Sequence, residues 1–300
     1  MSRTLPQSPL LEPSTLAAIK DLRLVARMIV EGFLAGEHLD RRPGAGTEFS
    51  QYRSYQPGDD LRHVDWRAYG RSDRFYVRES EVERDITVRL VLDATASMAH
   101  TDGALSKLDY ARLLMAALAY LADQQGDRVS FHAVQDGSSV DLPAQRGRRS
   151  LRRVLHRLTT VEASGAWPTW QVLGHRIART REREVVVVVS DLYDDESRMR
   201  QTLSTLQALG HEVLVFHLMG RNELDFEYRG DLAFEDLESG ATVRGNADAM
   251  RAGYVERQQA ALEQWRTELL EMGVAYELVP LDRPVDRALR GFLLRRGKLP

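Results

Sequence analysis

The segment EVVVVVSD (residues 184–191) constrains the fold more than any other stretch of the chain. Five consecutive valines leave no polar side for solvent, so a strand here must be buried on both faces. β-Branched side chains also favour an extended backbone. Strands covered on both faces are typical of the centre of a parallel sheet. The segment therefore predicts an α/β protein with helices on both sides of its sheet.

Apolar strands and amphipathic helices alternate from Ile86 onward, as a parallel sheet requires. The predicted strands are ITVRLVLD, RVSFHAV, EVVVVVSD, EVLVFHLM and VAYELV. The predicted helices are one capped by Ser106 and running through Gln124, one in SLRRVLHRL, one in WQVLGHRIART, and those at Met199–Leu209, Ala247–Met272 and Val285–Leu294. This order predicts a doubly wound, mostly parallel sheet over residues 86–300 with helices on both faces.

The first 85 residues have a different pattern. Residues 1–13 predict a loose arm, and apolar residues at helical spacing after Ser14 predict an amphipathic helix, so residues 1–35 form an arm and a helix. Residues 36–85 are rich in turn formers and in charged residues interleaved with aromatic ones. We expect short strands and structured loops in this second segment.

Composition excludes several classes of site and partner. The chain has no cysteine, which excludes disulfides, thiolate metal sites and cysteine nucleophiles. Its net charge of −3 does not require nucleic acid or an anionic membrane as a partner. It has no run approaching the ~20 apolar residues of a membrane span. Its first residues hold three prolines and do not resemble a signal peptide. We therefore expect a cytoplasmic protein.

Two of the predicted strands end in carboxylates. LVLD ends at Asp93, and Thr95 and Ser97 follow at alternate positions, while VVVVVSD ends at Asp191. Ligand sites of open parallel sheets form outside the carboxyl ends of the strands. If the two strands are neighbours, two carboxylates and two hydroxyls converge there. Such hard oxygen ligands favour Mg²⁺, with Mn²⁺ or Ca²⁺ as alternatives.

The D-x-T-x-S of Asp93, Thr95 and Ser97 resembles the metal-ion-dependent adhesion site of von Willebrand factor A domains, whose pattern is D-x-S-x-S. That resemblance implies that Thr169, in SGAWPTW, and Asp191 complete the metal site. Thr95 preserves the hydroxyl of the usual serine. The loop of Thr169 departs from the family's G-x-T, since Trp167 and Pro168 precede the threonine.

The charged segment resembles the bacterial "domain of unknown function 58" family, whose members carry E-F-x-x-x-R-x-Y-x-P-G-D-D-x-R-x-I-D-W before a von Willebrand A-like half. The matching residues are Glu48, Phe49, Arg53, Tyr55, Pro57, Gly58, Asp59, Asp60, Arg62, Val64, Asp65 and Trp66. Because members are commonly encoded beside MoxR-type AAA+ ATPases, the resemblance implies such an ATPase as partner. It implies an adaptor or chaperone-associated role without enzymatic activity.

A simpler structural interpretation stays open for the strand-end hydroxyls, for the acidic residues of the charged segment and for the arginine-rich helix. The hydroxyls after Asp93 also suit a turn that caps a helix. The acidic residues of the charged segment fit an ion-pair network with its arginines better than a second metal centre. The helix in RGRRSLRRVLHRL has arginines opposite its leucines, which predict either a solvated face or a docking surface for an acidic partner. The arginines of that docking surface are Arg148, Arg149, Arg152 and Arg153.

Two other functions compete with an adaptor. A phosphotransferase of the haloacid dehalogenase type also places a strand-end aspartate beside Mg²⁺, and Asp191 with Asp195 matches its later acidic motif. Against it, Thr95 stands where that family needs a second acid. The lysine with which that family offsets the charge of the phosphate is also missing, because Lys107 follows Asp93 too closely in sequence. The third hypothesis is a nucleic-acid binder driven by the arginines, which predicts an affinity that falls steeply with salt.

Overall fold

The computed structural model describes residues 13, 16, 18–19, 21–40, 52–54, 76–78, 86–103, 105–135, 138–170, 173, 182–193 and 198–296. The chain divides into two compact units, one made of residues 1–35 and 86–300 and the other of residues 36–85. In the smaller unit, strands β1 (Tyr52–Ser54) and β2 (Tyr76–Arg78) pair antiparallel. The motif residues Asp59, Asp60, Arg62, Asp65 and Trp66 lie outside the described residues, as does the side chain of Arg53.

A six-stranded sheet forms the centre of the larger unit. Its strands are β3 (Thr87–Asp93), β6 (Arg128–Gln135), β7 (Ser138–Gln145), β8 (Val185–Ser190), β9 (Glu212–Met219) and β12 (Ala275–Pro280). The spatial order is β12-β9-β8-β3-β6-β7. All pairs are parallel except β6 with β7. The predicted fold class, a doubly wound and mostly parallel sheet, is confirmed, whereas the antiparallel edge strand β7 was not predicted.

Alternate side chains of the central strands enter two separate cores. Leu90 and Leu92 belong to one core, and Val91 of the same strand belongs to the other. The valines of β8 divide in the same way, with Val187 in the first core and Val188 in the second. Successive side chains of a strand point to opposite faces, so an unbroken apolar run needs cover on both sides.

Helices supply that cover. They are α1 (Leu22–Asp40), α2 (Lys107–Gln124), α3 (Arg148–Thr160), α4 (Arg198–Ala208), α5 (Arg221–Asp225), α6 (Ala247–Glu271) and α7 (Val285–Arg296). Buried side chains of α1, α2, α3 and α7 line the first core, and those of α4 and α6 line the second. The Ser106 hydroxyl caps α2 by accepting from the Asp109 amide at 3.0 Å, as predicted.

Two short antiparallel strand pairs lie outside the six-stranded sheet of the larger unit. The short pair β4 (Thr101–Asp102) and β5 (Leu105–Ser106) precedes α2. A hairpin of β10 (Asp231–Glu235) and β11 (Thr242–Asn246) connects α5 to α6 and was not predicted. Within the described ranges, none of the helices is both long enough and apolar enough to cross a membrane.

Candidate metal centre

The two carboxylate-bearing strands are neighbours. β3 and β8 pair in parallel, with Leu92 opposite Val189, so Asp93 and Ser190 end the two strands side by side and Asp191 follows directly. The Ser190 hydroxyl donates to Asp93 Oδ2 at 2.5 Å. Adjacent parallel strands thus bring both acidic residues to one edge of the sheet, although nearly a hundred residues separate them in sequence.

The segment after β3 turns its hydroxyls toward the second aspartate. The Thr95 amide donates to Asp93 Oδ1 at 3.0 Å, which folds the chain back into a 3₁₀ turn over Ala96–Ala99. Thr95 Oγ1 then lies 3.0 Å from Ser97 Oγ, and the Ser97 hydroxyl donates to Asp191 Oδ1 at 3.2 Å. Four of the five predicted metal ligands therefore form one hydrogen-bonded cluster.

The fifth predicted ligand, Thr169, lies outside this cluster. Its loop does reach the site, because the Ser164 amide donates to the Ala94 carbonyl and the Ala96 amide to the Gly165 carbonyl, both at 2.8 Å. Thr169 itself is exposed, and its backbone carbonyl accepts from the Leu173 amide. Within the described part of the chain, no hydrogen bond joins the Thr169 hydroxyl to the other four ligands.

Lys107 is a member of the site that the sequence did not predict. Its ammonium group is 2.7 Å from both Asp191 Oδ2 and Glu223 Oε1, and its side chain is only 2% exposed. Glu223 in turn accepts from the Gly220 amide at 2.7 Å through Oε2. Lys107 reaches Asp191 because α2 begins at Lys107, beside the carboxyl end of β8.

Burial and charge shift the pKa values of both aspartates and of a neighbouring histidine. Burial, followed by repulsion from Asp191, raises the pKa of Asp93 to about 7. Burial also opposes ionisation of Asp191, but the Lys107 ammonium outweighs it and holds the pKa of Asp191 below its usual value. Burial lowers the pKa of the nearby His217 to about 4, so its imidazole is neutral. One ammonium thus offsets part of the acidic charge and leaves Asp93 uncompensated.

A backbone constraint and a cavity border the cluster. Leu192, directly after Asp191, has φ +53° although it is not glycine, and its amide donates to the Ser190 hydroxyl at 2.8 Å. Such left-handed positions are strained and are common where a chain must place functional groups. Beside it lies a cavity of 290 Å³, whose lining includes Asp191, Tyr193, His217, Glu223, Tyr254 and Trp265.

The strand ends supply two carboxylates, those of Asp93 and Asp191. In the described residues, no group of three acidic or imidazole side chains could hold a metal ion, so any further protein ligands of a divalent cation here must be neutral oxygens. Thr95 and Ser97 add two neutral oxygens, and Mg²⁺ characteristically keeps waters with one or two carboxylates. Glu238 Oε1, on the β10–β11 turn, is a buried carboxylate oxygen with no hydrogen-bond partner among the described residues. Burial, with a smaller contribution from the charge of Asp191, raises the pKa of Glu238.

The other predicted surface lies on α3. Leu151, Leu155 and Leu158 are buried in the first core. Arg148, Arg149 and Arg152 are exposed on the opposite side, and the half-buried Arg153 donates to Gln145. The amphipathic arrangement is as predicted; its use as a docking surface stays a prediction.

Sequence alone missed Lys107, Ser190 and Glu223 as parts of the site. Lys107 had one visible signal, since only three lysines occur among 41 basic residues. Ser190 had another, because a serine at the end of a valine run must find a buried partner. Glu223 had none, since it lies in an element whose position is decided by tertiary packing.

Comparisons with known proteins identify relatives in sequence and in structure. The chain is 29% identical over 240 residues to the uncharacterized proteins Mb1516 of Mycobacterium bovis and Rv1480 of Mycobacterium tuberculosis, covering 79% of this chain and 75% of each relative. Similar solved structures include BatB from Bacteroides thetaiotaomicron (13% identity, TM-score 0.44, 71% and 100% of the two chains) and the von Willebrand A domain of SpRpn10 (10% identity, TM-score 0.38, 68% and 93%). The family model described as "Protein of unknown function DUF58" matches residues 51–264, well over half of the sequence. The chain therefore belongs to the DUF58 family.

Proposed function

We propose that the protein is a non-enzymatic binding module that holds a divalent cation at Asp93, Thr95, Ser97 and Asp191. Mg²⁺ is the cation that this set of oxygen ligands favours. The observation that carries the proposal is the convergence of both strand-end carboxylates and both hydroxyls in one buried cluster whose acidic charge exceeds its single ammonium. Thr169 is the remaining ligand that the family resemblance implies. A bound cation supplies a positive charge that attracts a carboxylate of a partner protein.

Each residue of the cluster has a distinct part in this proposal. Asp93 and Asp191 supply charge, and the hydroxyls of Thr95 and Ser97 supply neutral oxygen ligands. Ser190 orients Asp93 through its 2.5 Å hydrogen bond, and Lys107 holds Asp191 through Oδ2. Asp191 Oδ1 accepts from the Ser97 hydroxyl and the Tyr193 amide, whereas Lys107 bonds to Oδ2, so we assign Oδ1 to the cation.

The partner we propose is a MoxR-type AAA+ ATPase or its client, on the family resemblance, in a role associated with chaperoning or complex assembly. The exposed arginines of α3 (Arg148, Arg149, Arg152) are a candidate second contact with an acidic surface of that partner. Six arginines between residues 146 and 157 repel one another in isolation, and acidic groups of a partner relieve that repulsion.

A phosphotransferase is less well supported. Thr95 occupies the position of that family's second acid. Lys107, which reaches the cluster, is buried and already bonded to both Asp191 and Glu223, so it is not available to offset the charge of a phosphate. A nucleic-acid binder rests only on the arginines of α3, without an aromatic platform on which bases stack.

The first test measures the cation directly. Purified protein is titrated with Mn²⁺, and free Mn²⁺ is followed by electron paramagnetic resonance. We expect one site in the wild type, its loss in Asp93→Ala, and no change in Asp225→Ala, a control that removes an exposed acid. Equal Mn²⁺ binding by the wild type and Asp93→Ala refutes the metal site.

The second test measures the partner. A purified MoxR-type ATPase from the same organism is passed over the immobilised protein with Mg²⁺ or with EDTA. We expect retention with Mg²⁺ only, lost in Asp93→Ala and retained in Asp225→Ala. Retention that is indifferent to EDTA and to Asp93 refutes cation-mediated binding.

A further inference from the structure

The outer edge of β12 is not covered by another strand of the described part of the chain. β12 is the last strand of the six-stranded sheet and pairs in parallel with β9 on one side only. Its side chains are nevertheless all buried or half-buried, as in a strand from the interior of a sheet. An open edge of this kind presents main-chain donors and acceptors with which another chain can pair.

The opposite edge of the sheet is protected against such pairing. β7 carries Pro143 inside the strand, where proline has no amide hydrogen to donate. The pairing of β7 with β6 also shifts its register between Val129 and Phe131. Proline and irregular register are devices that blunt exposed edges. In β12 the only proline, Pro280, is the last residue of the strand, so β12 is the edge that can accept a strand.

Hydrogen bonds show which residues of β12 face the open edge. The Leu281 amide, directly after the strand, donates to the Met219 carbonyl of β9 at 2.9 Å. Main-chain groups alternate in direction along a strand, so those of Leu278 point away from β9. The Leu278 carbonyl agrees with this direction, because it accepts from Arg283 Nη1 at 3.4 Å, a long contact beside the 2.6 Å bond of the same nitrogen to Glu277. A carbonyl oxygen has two lone pairs and can accept a second donor.

A cavity of 590 Å³ is lined by this strand and by α6. Its apolar lining includes Leu262, Leu270 and Leu278, and Leu270 is 61% exposed. Its charged lining includes Glu263 and Arg266, both exposed. A two-fold interface is self-complementary, so it needs both signs of charge on one patch. The patch therefore favours a second copy of this chain over a partner of one sign of charge.

Antiparallel pairing of two identical β12 strands allows few registers. Directly opposed side chains lie on the same face, and faces alternate along a strand, so the two-fold axis passes through a residue rather than between two. An axis at Glu277 opposes two glutamates, and like charges directly opposite each other are destabilising. An axis at Leu278 opposes two leucines, and because the main-chain groups of Leu278 face outward, the two copies exchange a pair of hydrogen bonds there.

The position of α6 selects the same centre. α6 packs on β12 through Trp265, which shares the second core with Tyr276, and it runs back along the strand. The midpoint of Glu263 and Arg266 lies about 10 Å before the end of α6, and Leu278 lies about 10 Å after the start of β12. Tyr276 lies only about 3 Å after that start. An axis through Leu278 therefore also passes close to this midpoint and brings Glu263 of one copy opposite Arg266 of the other.

We propose that two copies of this chain pair antiparallel through the outer edges of β12, with Leu278 on the two-fold axis and Glu263 of each copy facing Arg266 of the other. The inference is independent of the proposed cation, because no residue of the candidate metal centre takes part. Antiparallel pairing joins the two sheets into one and points their carboxyl ends in opposite directions. The two candidate metal centres therefore lie at opposite ends of the pair.

Sedimentation velocity between about 1 and 100 μM tests the pairing. We expect the wild type to form a species of twice the 34.0 kDa mass of the chain. Leu278→Lys, which brings two ammonium groups together at the axis, should stay monomeric. Glu263→Arg and Arg266→Glu should each weaken the pair about tenfold. An equimolar mixture of these two variants should recover it, because opposite charges then face each other at both contacts. Arg257→Glu, which reverses an exposed charge of α6 outside the cavity lining, is the control and should pair as the wild type does.

Three results overturn the inference. The first is a wild type that sediments as a monomer up to about 100 μM. The second is a dimer that Leu278→Lys and both charge reversals leave intact, since the chain then pairs through another surface. The third is a mixture of Glu263→Arg and Arg266→Glu that does not recover the pair, since those side chains then do not face each other. Circular dichroism checks the folding of Leu278→Lys, whose site is half-buried, whereas the two charge reversals lie at exposed positions.

Discussion

Replacing Lys107 with methionine tests how the centre balances its charge. Methionine keeps most of the buried stem but removes the ammonium that is 2.7 Å from both Asp191 and Glu223. The Lys107 and Asp191 side chains are 2% and 1% exposed, so the carboxylates are left in a site where water cannot replace the lost partner. Removing one member of a buried ion pair typically destabilises a protein by about 3–5 kcal/mol. We expect a loss of that size in EDTA.

Divalent cations should reverse part of this loss. With Lys107 gone, a cation meets more uncompensated negative charge, so its affinity should rise. A ligand present at 100 times its dissociation constant stabilises the folded state by roughly 2.7 kcal/mol. We therefore expect Mg²⁺ to restore a large part of the free energy of unfolding of Lys107→Met, measured by urea denaturation, and to stabilise the wild type less.

Arg89→Met is the matched control for this prediction. Arg89 forms an ion pair with Glu184 that is equally buried, with side chains 4% and 3% exposed, near the opposite end of β3. It should lose stability to a similar extent, but Mg²⁺ should not restore it. If Mg²⁺ stabilises both variants equally, or stabilises neither, then the carboxylates that bond to Lys107 do not also bind a cation.

Three further predictions concern stability. His211 is buried and accepts a hydrogen bond from the Glu184 amide at Nδ1, and burial holds its pKa below the usual value. The unfolded chain therefore binds more protons at His211 than the folded one, so this residue makes stability fall as pH drops below ~6.5. The urea midpoint should depend less steeply on pH in His211→Asn than in the wild type. An unchanged dependence would contradict the role of His211. Leu158→Ala should lower the free energy of unfolding, measured by urea denaturation, by about 2–5 kcal/mol, because Leu158 is 0% exposed in the first core. Arg152→Ala on the same helix should change it by no more than about 0.5 kcal/mol. Similar losses in the two variants would refute the faces assigned to α3. Phe234→Ala should loosen the hairpin and expose the amides of its turn to hydrogen exchange while the sheet stays protected; unchanged protection at residues 236–241 argues against aromatic anchoring.

Local patterns predicted most of the larger unit because they report burial directly. The valines of β8 required cover on both faces, and the structure places successive ones in two different cores. The Ser106 cap and the leucine spacing of α3 predicted helices that are present with nearly the expected bounds. The edge strand β7 was not predicted because one of its sides needs no apolar cover, so its sequence has little of the hydrophobic periodicity that identifies a strand. The hairpin β10–β11 was missed for the same reason, since all of its strand residues except Phe234 and Gly245 are exposed.

By itself, the sequence determined which residues end the two buried strands, because apolar runs and their polar termini are local properties of the chain. It therefore predicted Asp93, Thr95, Ser97 and Asp191 as candidates for a single site. Only the tertiary structure decided that β3 and β8 are neighbours and that Lys107 reaches both Asp191 and Glu223. These contacts depend on strand order and on packing between segments that are distant in sequence. The role of a carboxylate depends in turn on the charged groups that this packing brings within a few ångströms of it.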